Sequence, residues 1–360
     1  MADFDVWFNK LTGYAPHPFQ RRLALGEKWP PLACIPTGAG KSAAVVLAWL
    51  WKRHLGTPQQ RLVTGRRLIY CLPMRVLVDQ TLSVVRDWLR KGDPSGTIGL
   101  HVLMGGVPRT DWALRPEDEA ILIGTQDMLL SRALNRGYAS SRSRWPQEFG
   151  LLHNDCLWVV DEVQLMGAGL ATSAQFAAFR QDQTFGPAHT LWMSATAQPT
   201  WLETVDHPKP EELFELEPGE VNSKNSVLGK VLHAPKTIAP LAVKERNGKM
   251  IAEKLLKLHQ EQEHPGLSLA VCNTVKHAAE LYDTLVKLRK KATVPELVLL
   301  HSRFRQGDRD SHLQKVLSPV PAGGRIVVST QVIEAGVISP PACWLLIWPP
   351  GPLWYSVSVA

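Results

Sequence analysis

Pro36-Thr37-Gly38-Ala39-Gly40-Lys41-Ser42, hereafter the phosphate-binding loop, is the stretch that decides the fold of this 360-residue chain. An apolar run, Leu32–Ile35, precedes it, and an apolar helical pattern, Ala43–Trp51, follows it. Glycines let a backbone approach a ligand closely, and the first turn of a helix presents N–H groups without intrahelical acceptors. A strand, a glycine-rich loop and a helix in this order therefore predict a phosphate site at the end of a strand.

Each part of the loop has a predicted role on a nucleoside triphosphate. The backbone from Thr37 to Gly40 would surround the phosphates, and Lys41 would neutralise the β- and γ-phosphates. The Ser42 hydroxyl would be a ligand of Mg²⁺. Ile35 departs from the usual pattern, which has Gly or Ala at that position. We expect ATP and Mg²⁺ as the cofactors.

A second apolar run, Leu157–Val160, leads directly into Asp161 and Glu162. Two acidic side chains at the end of a buried strand are costly unless they serve a ligand there. Asp161 would hold the Mg²⁺, and Glu162 would orient and deprotonate the attacking water. Ser194-Ala195-Thr196 follows a further apolar run. The order of the three motifs predicts that Lys41, Asp161 and Glu162 carry the catalysis.

Short apolar runs alternate with helical patterns along most of the chain. Alternating strands and helices favour an α/β fold whose parallel sheets are covered by helices on both faces. Ligands of such sheets gather at the carboxyl ends of the strands. The other runs interpreted as strands are Leu68–Leu72, Ala120–Ile123, Thr190–Met193, Ser268–Cys272, Leu297–Leu300 and Ile326–Val328. Two helical stripes are predicted, at Ile251, Leu255 and Leu258, and at Ala278, Leu281, Leu285 and Leu288.

Length and proline content predict two domains, because 360 residues can bury two ordinary cores. We predict a first domain at residues 1–205, a linker at 206–240 and a partial second domain at 241–337. The linker is placed where several prolines and a charge-rich stretch interrupt the pattern. Residues 338–360 are set apart as an aberrant tail.

The composition is that of a globular protein with a net charge of +7, which is compatible with a nucleic-acid partner. The amino terminus, Met1 to Asp5, has no apolar region of a secretory signal, and no run is long enough to span a membrane. The five cysteines have no metal-ligand spacing and are interpreted as core residues. We expect a cytoplasmic location.

The order of these motifs resembles that of superfamily 2 helicases of the DEAD/DEAH type, over residues 15–337. The resemblance implies an ATP-dependent helicase with two tandem RecA-like parallel-sheet lobes, which is a P-loop NTPase fold. His17-Pro18-Phe19-Gln20 resembles the segment that reads adenine, with Gln20 as the base contact, and Gly336 would also contact the nucleotide. The residues expected to contact the nucleic acid are Arg75, Gly105, Gly106, Thr125, Thr274, Arg303 and Thr330.

Within the superfamily the chain most resembles the CRISPR-associated helicase–nuclease of type I systems, in the subtype whose helicase precedes an HD nuclease. The segments that carry this resemblance are Asp161–Met166, Asn273-Thr274, His301–Phe304 and Thr330–Gly336. The resemblance implies single-stranded DNA as the substrate and the Cascade complex as a partner.

Two features of that family are absent from this sequence. It contains no His-Asp dipeptide of an HD nuclease, and no Gln-Arg-x-Gly-Arg segment, whose arginines contact the γ-phosphate in the family. The tail, residues 338–360, instead carries five prolines and three tryptophans. Because proline removes a donor from the sheet ladder, we expect no sheet strand there and an incomplete second lobe.

A frameshift after Val337 is our preferred interpretation of the tail. With one base restored, codons compatible with residues 338–360 can encode a segment that begins Asp-Ile-Ser-Ala-Arg and ends Gln-Arg-Phe-Gly-Arg. That segment continues the preceding motif and supplies the missing arginines. The alternative is a genuine divergent tail, and the codons of the gene distinguish the two.

Two further functions stay open beside a CRISPR helicase. One is a superfamily 2 RNA helicase or a restriction-type translocase, which the downstream gene would identify. The other is a non-catalytic, nucleotide-dependent DNA-binding fragment, which the missing arginine segment favours. Stimulation of ATP hydrolysis by single-stranded DNA would argue against the fragment.

Overall fold

The computed structural model describes residues 3–358 apart from several short segments. These segments are 94, 108–109, 182–185, 223–227, 230–232, 234–235, 242–247, 262–265, 290–294, 302, 331–342 and 348–352. Gly336, Ser302 and the start of the tail therefore lie outside the described residues. The chain divides into two compact units, Met1–Leu232 and His233–Ala360.

A seven-stranded parallel sheet forms the centre of the first unit. Its strands are β1 (Leu32–Cys34), β2 (Arg67–Leu72), β3 (Gly99–Leu103), β4 (Ala120–Thr125), β5 (Cys156–Asp161), β6 (Ala188–Ser194) and β7 (Leu213–Glu215). They lie in the order β3-β4-β2-β5-β6-β1-β7. Every pairing between them is parallel, so their carboxyl ends share one edge of the sheet.

Helices pack against this sheet and contribute to its core. They are α1 (Phe4–Thr12), α2 (Pro18–Leu25), α3 (Lys41–His54), α4 (Pro58–Leu62), α5 (Arg75–Gly92), α6 (Gln126–Ala133), α7 (Trp145–His153), α8 (Ala168–Gln181) and α9 (Pro218–Asn222). Helix α3 is buried along most of its length, as its apolar sequence predicts. One core cluster joins β2, β4 and β5 to α6 and α8, with Trp158 and Trp192 among its largest members.

Every apolar run predicted as a strand is a strand in the structure, and two further short strands lie within or at the end of the segment predicted as a linker, 206–240. Strand β7 lies inside it and pairs with β1, and β8 (Lys236–Leu241) belongs to the sheet of the second unit. Prolines flank β7, and Pro240 lies within β8, so the sequence pattern did not reveal either strand. Strand β3 was also missed, because His101 and its half-buried neighbours lack an apolar run.

The second unit contains a mixed six-stranded sheet. Its strands are β8, β9 (Leu267–Cys272), β10 (Glu296–Leu300), β11 (Arg325–Ser329), β12 (Cys343–Ile347) and β13 (Leu353–Ser358), in the order β10-β11-β9-β12-β13-β8. The first four in that order are parallel, and β13 is antiparallel to both of its neighbours. Its helices are α10 (Gly248–Gln260), α11 (Val275–Arg289) and α12 (Gln306–Leu317). The two predicted apolar stripes lie in α10 and α11 and face this core.

The expectation that the tail forms no sheet strand is wrong. Strand β12 pairs with β9, and β13 pairs with β12 and β8, so the position beside β9 is filled. Neither strand contains a proline, since the five prolines of the tail are residues 340, 341, 349, 350 and 352. The strand segments themselves are rich in apolar residues. The frameshift stays a prediction about the gene.

No helix among the described residues is both long and apolar enough to cross a membrane.

His153, at the end of α7, is a buried histidine with a hydrogen-bond partner at each ring nitrogen. Its Nε2–H donates to the Ala133 carbonyl at 2.8 Å, and its Nδ1 accepts from Arg180 at 3.4 Å. Phe149, Phe176 and Phe179 surround the ring. Burial, assisted by the Arg180 charge, lowers the pKa of His153 to about 4.

We predict that acid destabilises the first unit through His153. The folded-state pKa lies below the ordinary value of about 6.5, so the unfolded chain binds the proton more readily. The contribution of His153 to the free energy of unfolding is fully present above about pH 6.5, and it is lost as the pH falls towards about 4. In urea denaturation, the free energy of unfolding should fall by about 2 kcal/mol between pH 7 and pH 5. The variant His153→Gln should not show this fall. The control variant His277→Gln, at an exposed position, should show the same fall as the unsubstituted chain. An unchanged pH dependence in His153→Gln would contradict the role of His153.

Candidate functional site

Three loops meet at the carboxyl edge of the first sheet because β5, β6 and β1 are consecutive neighbours. The phosphate-binding loop follows β1, Asp161-Glu162 ends β5, and Ser194-Ala195-Thr196 ends β6. The structure thus brings together three motifs that are far apart in the sequence. Ser42 and Asp161, for example, are separated by 119 positions.

The phosphate-binding loop has the backbone that an anion site requires. Gly38 and Gly40 have φ values of 80° and 83°, a left-handed conformation that favours glycine. Helix α3 begins at Lys41 after the N-cap residue Gly40, which provides no side-chain cap, so the N–H groups of its first turn have no intrahelical acceptor. Thr37 and Gly38 are exposed, and Ala39 is buried. These residues fit the phosphates of a nucleotide, with the N-terminus of α3 directed at them.

Lys41 and Glu162 form an ion pair that links two of these loops. Lys41 Nζ lies 2.8 Å from Glu162 Oε1, and their side chains are 7% and 16% exposed. Glu162 has a φ of 53°, which is uncommon for a residue with a side chain. This backbone conformation turns the carboxylate from the end of β5 towards the phosphate-binding loop.

Gln164 connects the acidic pair to the Ser-Ala-Thr turn. Its Nε2 donates to Glu162 Oε2 at 2.6 Å, and its Oε1 accepts from the Ser194 hydroxyl at 2.7 Å. Ser194 Oγ accepts in turn from the Thr196 backbone N–H at 3.0 Å. Both carboxylate oxygens of Glu162 are therefore held, one by Lys41 and one by Gln164. Sequence reasoning assigned no role to Gln164, although this residue lies within the segment Asp161–Met166.

Tyr70 on β2 is a second residue that sequence reasoning missed. Its hydroxyl lies 2.7 Å from Asp161 Oδ2 and 3.1 Å from Ser42 Oγ. Having one proton, it donates to the Asp161 carboxylate and accepts from Ser42. It thus connects the two predicted Mg²⁺ ligands. Burial raises the pKa of Asp161, and Lys41 and the Tyr70 hydrogen bond act against that rise. The only available signal was a hydroxyl within an apolar run.

Gln20 supports the phosphate-binding loop in this structure. It is fully buried, its Nε2 donates to the Gly40 carbonyl at 3.1 Å, and its Oε1 accepts from the His17 N–H at 2.8 Å. This links α2 to the start of α3. Contact with adenine stays a prediction for Gln20.

The nucleic-acid residues predicted in the first unit lie at the same sheet edge. Arg75 begins α5 after β2, and its guanidinium lies 3.5 Å from where a Cβ on Gly106 would stand. Gly105 and Gly106 follow β3, and Thr125 ends β4 almost fully buried. The structure brings Arg75 and Gly106 together.

The counterparts in the second unit follow three adjacent strands, β9, β10 and β11. Thr274 is exposed, and its hydroxyl accepts from the His277 N–H at 3.2 Å at the start of α11. Arg303 is exposed after β10, and Thr330 is 7% exposed after β11. Because the strands are parallel, these three residues share one edge of the second sheet.

We predict that Tyr70→Phe destabilises the first unit by about 1–3 kcal/mol, since it leaves a buried carboxylate oxygen of Asp161 without its donor. Urea denaturation measures this loss. The control Tyr138→Phe removes a hydroxyl from a side chain that is 67% exposed and should change stability by less than about 0.5 kcal/mol. A double-mutant cycle with Asp161→Asn should show coupling, and additive effects would contradict the contact.

Two family models match this chain. That of the DEAD/DEAH box helicase matches residues 23–205, more than half of the chain, and that of the CRISPR-associated nuclease/helicase Cas3, C-terminal, matches residues 264–338. A curated relative, the CRISPR-associated nuclease/helicase Cas3 of Methanothermobacter thermautotrophicus, is 25% identical. The alignment covers 93% of this chain and 38% of the relative, so the chain spans well under half of that protein.

Solved structures share the fold. The helicase MrfA bound to DNA has a TM-score of 0.65 at 16% identity, covering 93% of this chain and 45% of that chain. Helicase Lhr of Mycobacterium smegmatis, bound to single-stranded DNA and AMP-PNP, has a TM-score of 0.61 at 20% identity, covering 93% and 42%. The T. fusca Cas3–AMPPNP crystal structure has a TM-score of 0.58 at 19% identity, also covering 93% and 42%.

These structures show that both units have the RecA-like helicase fold. The match over residues 23–205 is to the DEAD/DEAH box helicase family. The match over residues 264–338 and the curated relative both point to Cas3. The chain therefore belongs to the DEAD/DEAH box helicase family, and it is similar to Cas3 over residues 264–338.

Proposed function

We propose that this chain is the helicase part of a type I CRISPR interference effector, an ATP-driven translocase that acts on single-stranded DNA in the cytoplasm. The observation that carries the proposal is the meeting of Lys41 and Ser42 with Asp161 and Glu162 at one sheet edge. Relatives of the same fold support it, since they were solved with AMPPNP or with single-stranded DNA. A Cascade-type complex is the proposed protein partner.

Lys41 acts first in the proposed mechanism, and its ion pair with Glu162 supports this role. When ATP binds, Lys41 leaves Glu162 Oε1 for the β- and γ-phosphates, which are stronger charge partners. Glu162 is then free on one oxygen, while Gln164 still holds the other. That free oxygen can orient a water molecule and accept its proton.

Ser42 and Asp161 are the residues that would hold Mg²⁺. Tyr70 fixes both of them, so their oxygens are kept together before any ion arrives. When bound, Mg²⁺ would neutralise charge that develops on the phosphate oxygens. Gly336 is proposed to contact the nucleotide as well.

The DNA strand would follow the polar loops at the sheet edges of each unit. In the first unit it would pass Arg75, Gly105-Gly106 and Thr125, and in the second unit Thr274, Arg303 and Thr330. Arg75 and Arg303 are exposed and can neutralise phosphates. Glycines at 105 and 106 let the backbone approach the strand closely.

Slow turnover is proposed for the 360-residue chain, because its sequence contains no Gln-Arg-x-Gly-Arg segment. Loss of arginine stabilisation costs about 10³–10⁵ in rate in related nucleotide hydrolases. A nucleotide-dependent DNA clamp that does not hydrolyse ATP is the second candidate, and the same missing segment favours it.

Single-turnover ATP hydrolysis with Mg²⁺, with and without oligothymidylate, tests the proposal. We expect slow hydrolysis that oligothymidylate accelerates and that both Lys41→Ala and Glu162→Gln abolish. The exposed-lysine control Lys28→Ala should behave like the unsubstituted chain.

Equal rates in Lys41→Ala and the unsubstituted chain would contradict the site. ATP binding without any hydrolysis would support the clamp. Stimulation by oligouridylate but not by oligothymidylate would contradict the DNA assignment and favour an RNA helicase.

A further inference from the structure

The segment between α6 and α7, residues 134–144, is a basic surface arm that none of the motifs includes. From residue 128 to residue 147 the chain carries four arginines and no acidic residue. Two of them, Arg136 and Arg142, are exposed, and their guanidinium groups have no hydrogen bond or ion pair within the described part of the chain. Tyr138 projects between them with 67% of its side chain exposed. The arm therefore offers unpartnered positive charge beside an exposed aromatic ring.

Hydrogen bonds from both flanking helices hold the arm in place. The Tyr138 N–H donates to Ser131 Oγ at 3.1 Å, and the Trp145 indole donates to the Ser140 carbonyl at 3.1 Å. The Ser140 hydroxyl donates to Glu148 at 2.9 Å, and Glu148 is in turn ion-paired to buried Arg132. These hydrogen bonds fix the backbone of the arm, and so they also fix the positions from which its exposed side chains project.

The backbone of the arm contains two of the non-glycine residues with positive φ in the described chain. Asn135 has a φ of 55° and Ala139 a φ of 57°. Asparagine tolerates this region, but alanine adopts it only where surrounding contacts impose it. The turn at Ala139 lies directly beside Tyr138, so the strained backbone determines where the ring projects.

The arm faces the loop that carries Gly105 and Gly106. A cavity of about 170 Å³ lies between them, with Gly105, Gly106 and Val107 on one side and Ala139, Ser140 and Arg144 on the other. Arg144 also spans from the arm to Asp111 at 3.1 Å. A strand that follows the proposed path past Gly105-Gly106 would therefore meet the arm next.

We propose that the arm binds single-stranded nucleic acid, with Arg136 and Arg142 on phosphates and Tyr138 stacked on a base. This inference rests on the proposed function, because the path past Gly105-Gly106 belongs to it. An exposed tyrosine can stack only on a base whose face is free, as in a single strand. Arginines without internal partners add phosphate contacts that release counterions.

The salt dependence of binding tests the two arginines in the full chain. Binding of labelled oligothymidylate is measured against salt for the unsubstituted chain and for the double variant Arg136→Ala/Arg142→Ala. Each lost phosphate contact lowers the slope of log affinity against log salt by about 0.7 on a single strand, so we expect a decrease of about 1.4. The matched control is Arg86→Ala/Arg90→Ala on the exposed face of α5, which removes the same charge and should keep the slope.

The ring of Tyr138 separates a nucleic-acid surface from a general anion surface. Tyr138→Ala should weaken oligothymidylate binding about fivefold or more, and Tyr138→Phe should restore it, because stacking needs only the ring. Polyglutamate has no bases, so competition by polyglutamate should be insensitive to Tyr138→Ala. Equal losses with both polymers would assign the arm to acidic protein partners and overturn the proposal.

Two results distinguish failure of the arm from failure of the proposed function. If the unsubstituted chain shows ATP hydrolysis stimulated by oligothymidylate while all arm variants bind like it, the arm proposal alone is overturned. If the unsubstituted chain binds no oligothymidylate, both proposals fail.

Discussion

The ion pair between Lys41 and Glu162 is the interaction on which the site depends, because it joins the loop after β1 to the loop after β5. Both charges are largely withdrawn from water, and removing one partner of a buried pair costs about 3–5 kcal/mol. The pair also holds the carboxylate that the left-handed backbone of Glu162 turns inward. Without it, the acidic loop would have only Gln164 to fix that side chain.

Hydrogen bonds connect the Lys41–Glu162 pair to two further parts of the site. Gln164 connects the pair to Ser194, and so couples the acidic loop to the end of β6. Tyr70 joins Asp161 to Ser42 from the buried side of the sheet. Side chains in direct contact therefore connect the phosphate-binding loop to the Ser-Ala-Thr turn. These contacts within the first unit organise the site.

Sequence reasoning succeeded where a residue's role follows from local order and failed where it follows from contacts across the fold. The strand–loop–helix around Lys41 and the acids after β5 were predictable, since buried strands and polar loops leave strong patterns. Tyr70, Gln164 and the arm around Tyr138 were not, because their partners are distant in sequence or their backbone is set by tertiary contacts. The tail shows the same limit: its prolines were counted, but only the sheet reveals the two proline-free strands, Cys343–Ile347 and Leu353–Ser358.

Calorimetric titration of Mg²⁺–ATP into the unsubstituted chain and Glu162→Gln tests most directly whether Glu162 holds Lys41 until phosphate replaces it. If so, Glu162→Gln frees Lys41 in advance and should bind ATP about tenfold more tightly, which corresponds to about 1.4 kcal/mol. Lys41→Ala should lose most of the affinity. Binding to Glu162→Gln that is equal to or weaker than binding to the unsubstituted chain would contradict the account.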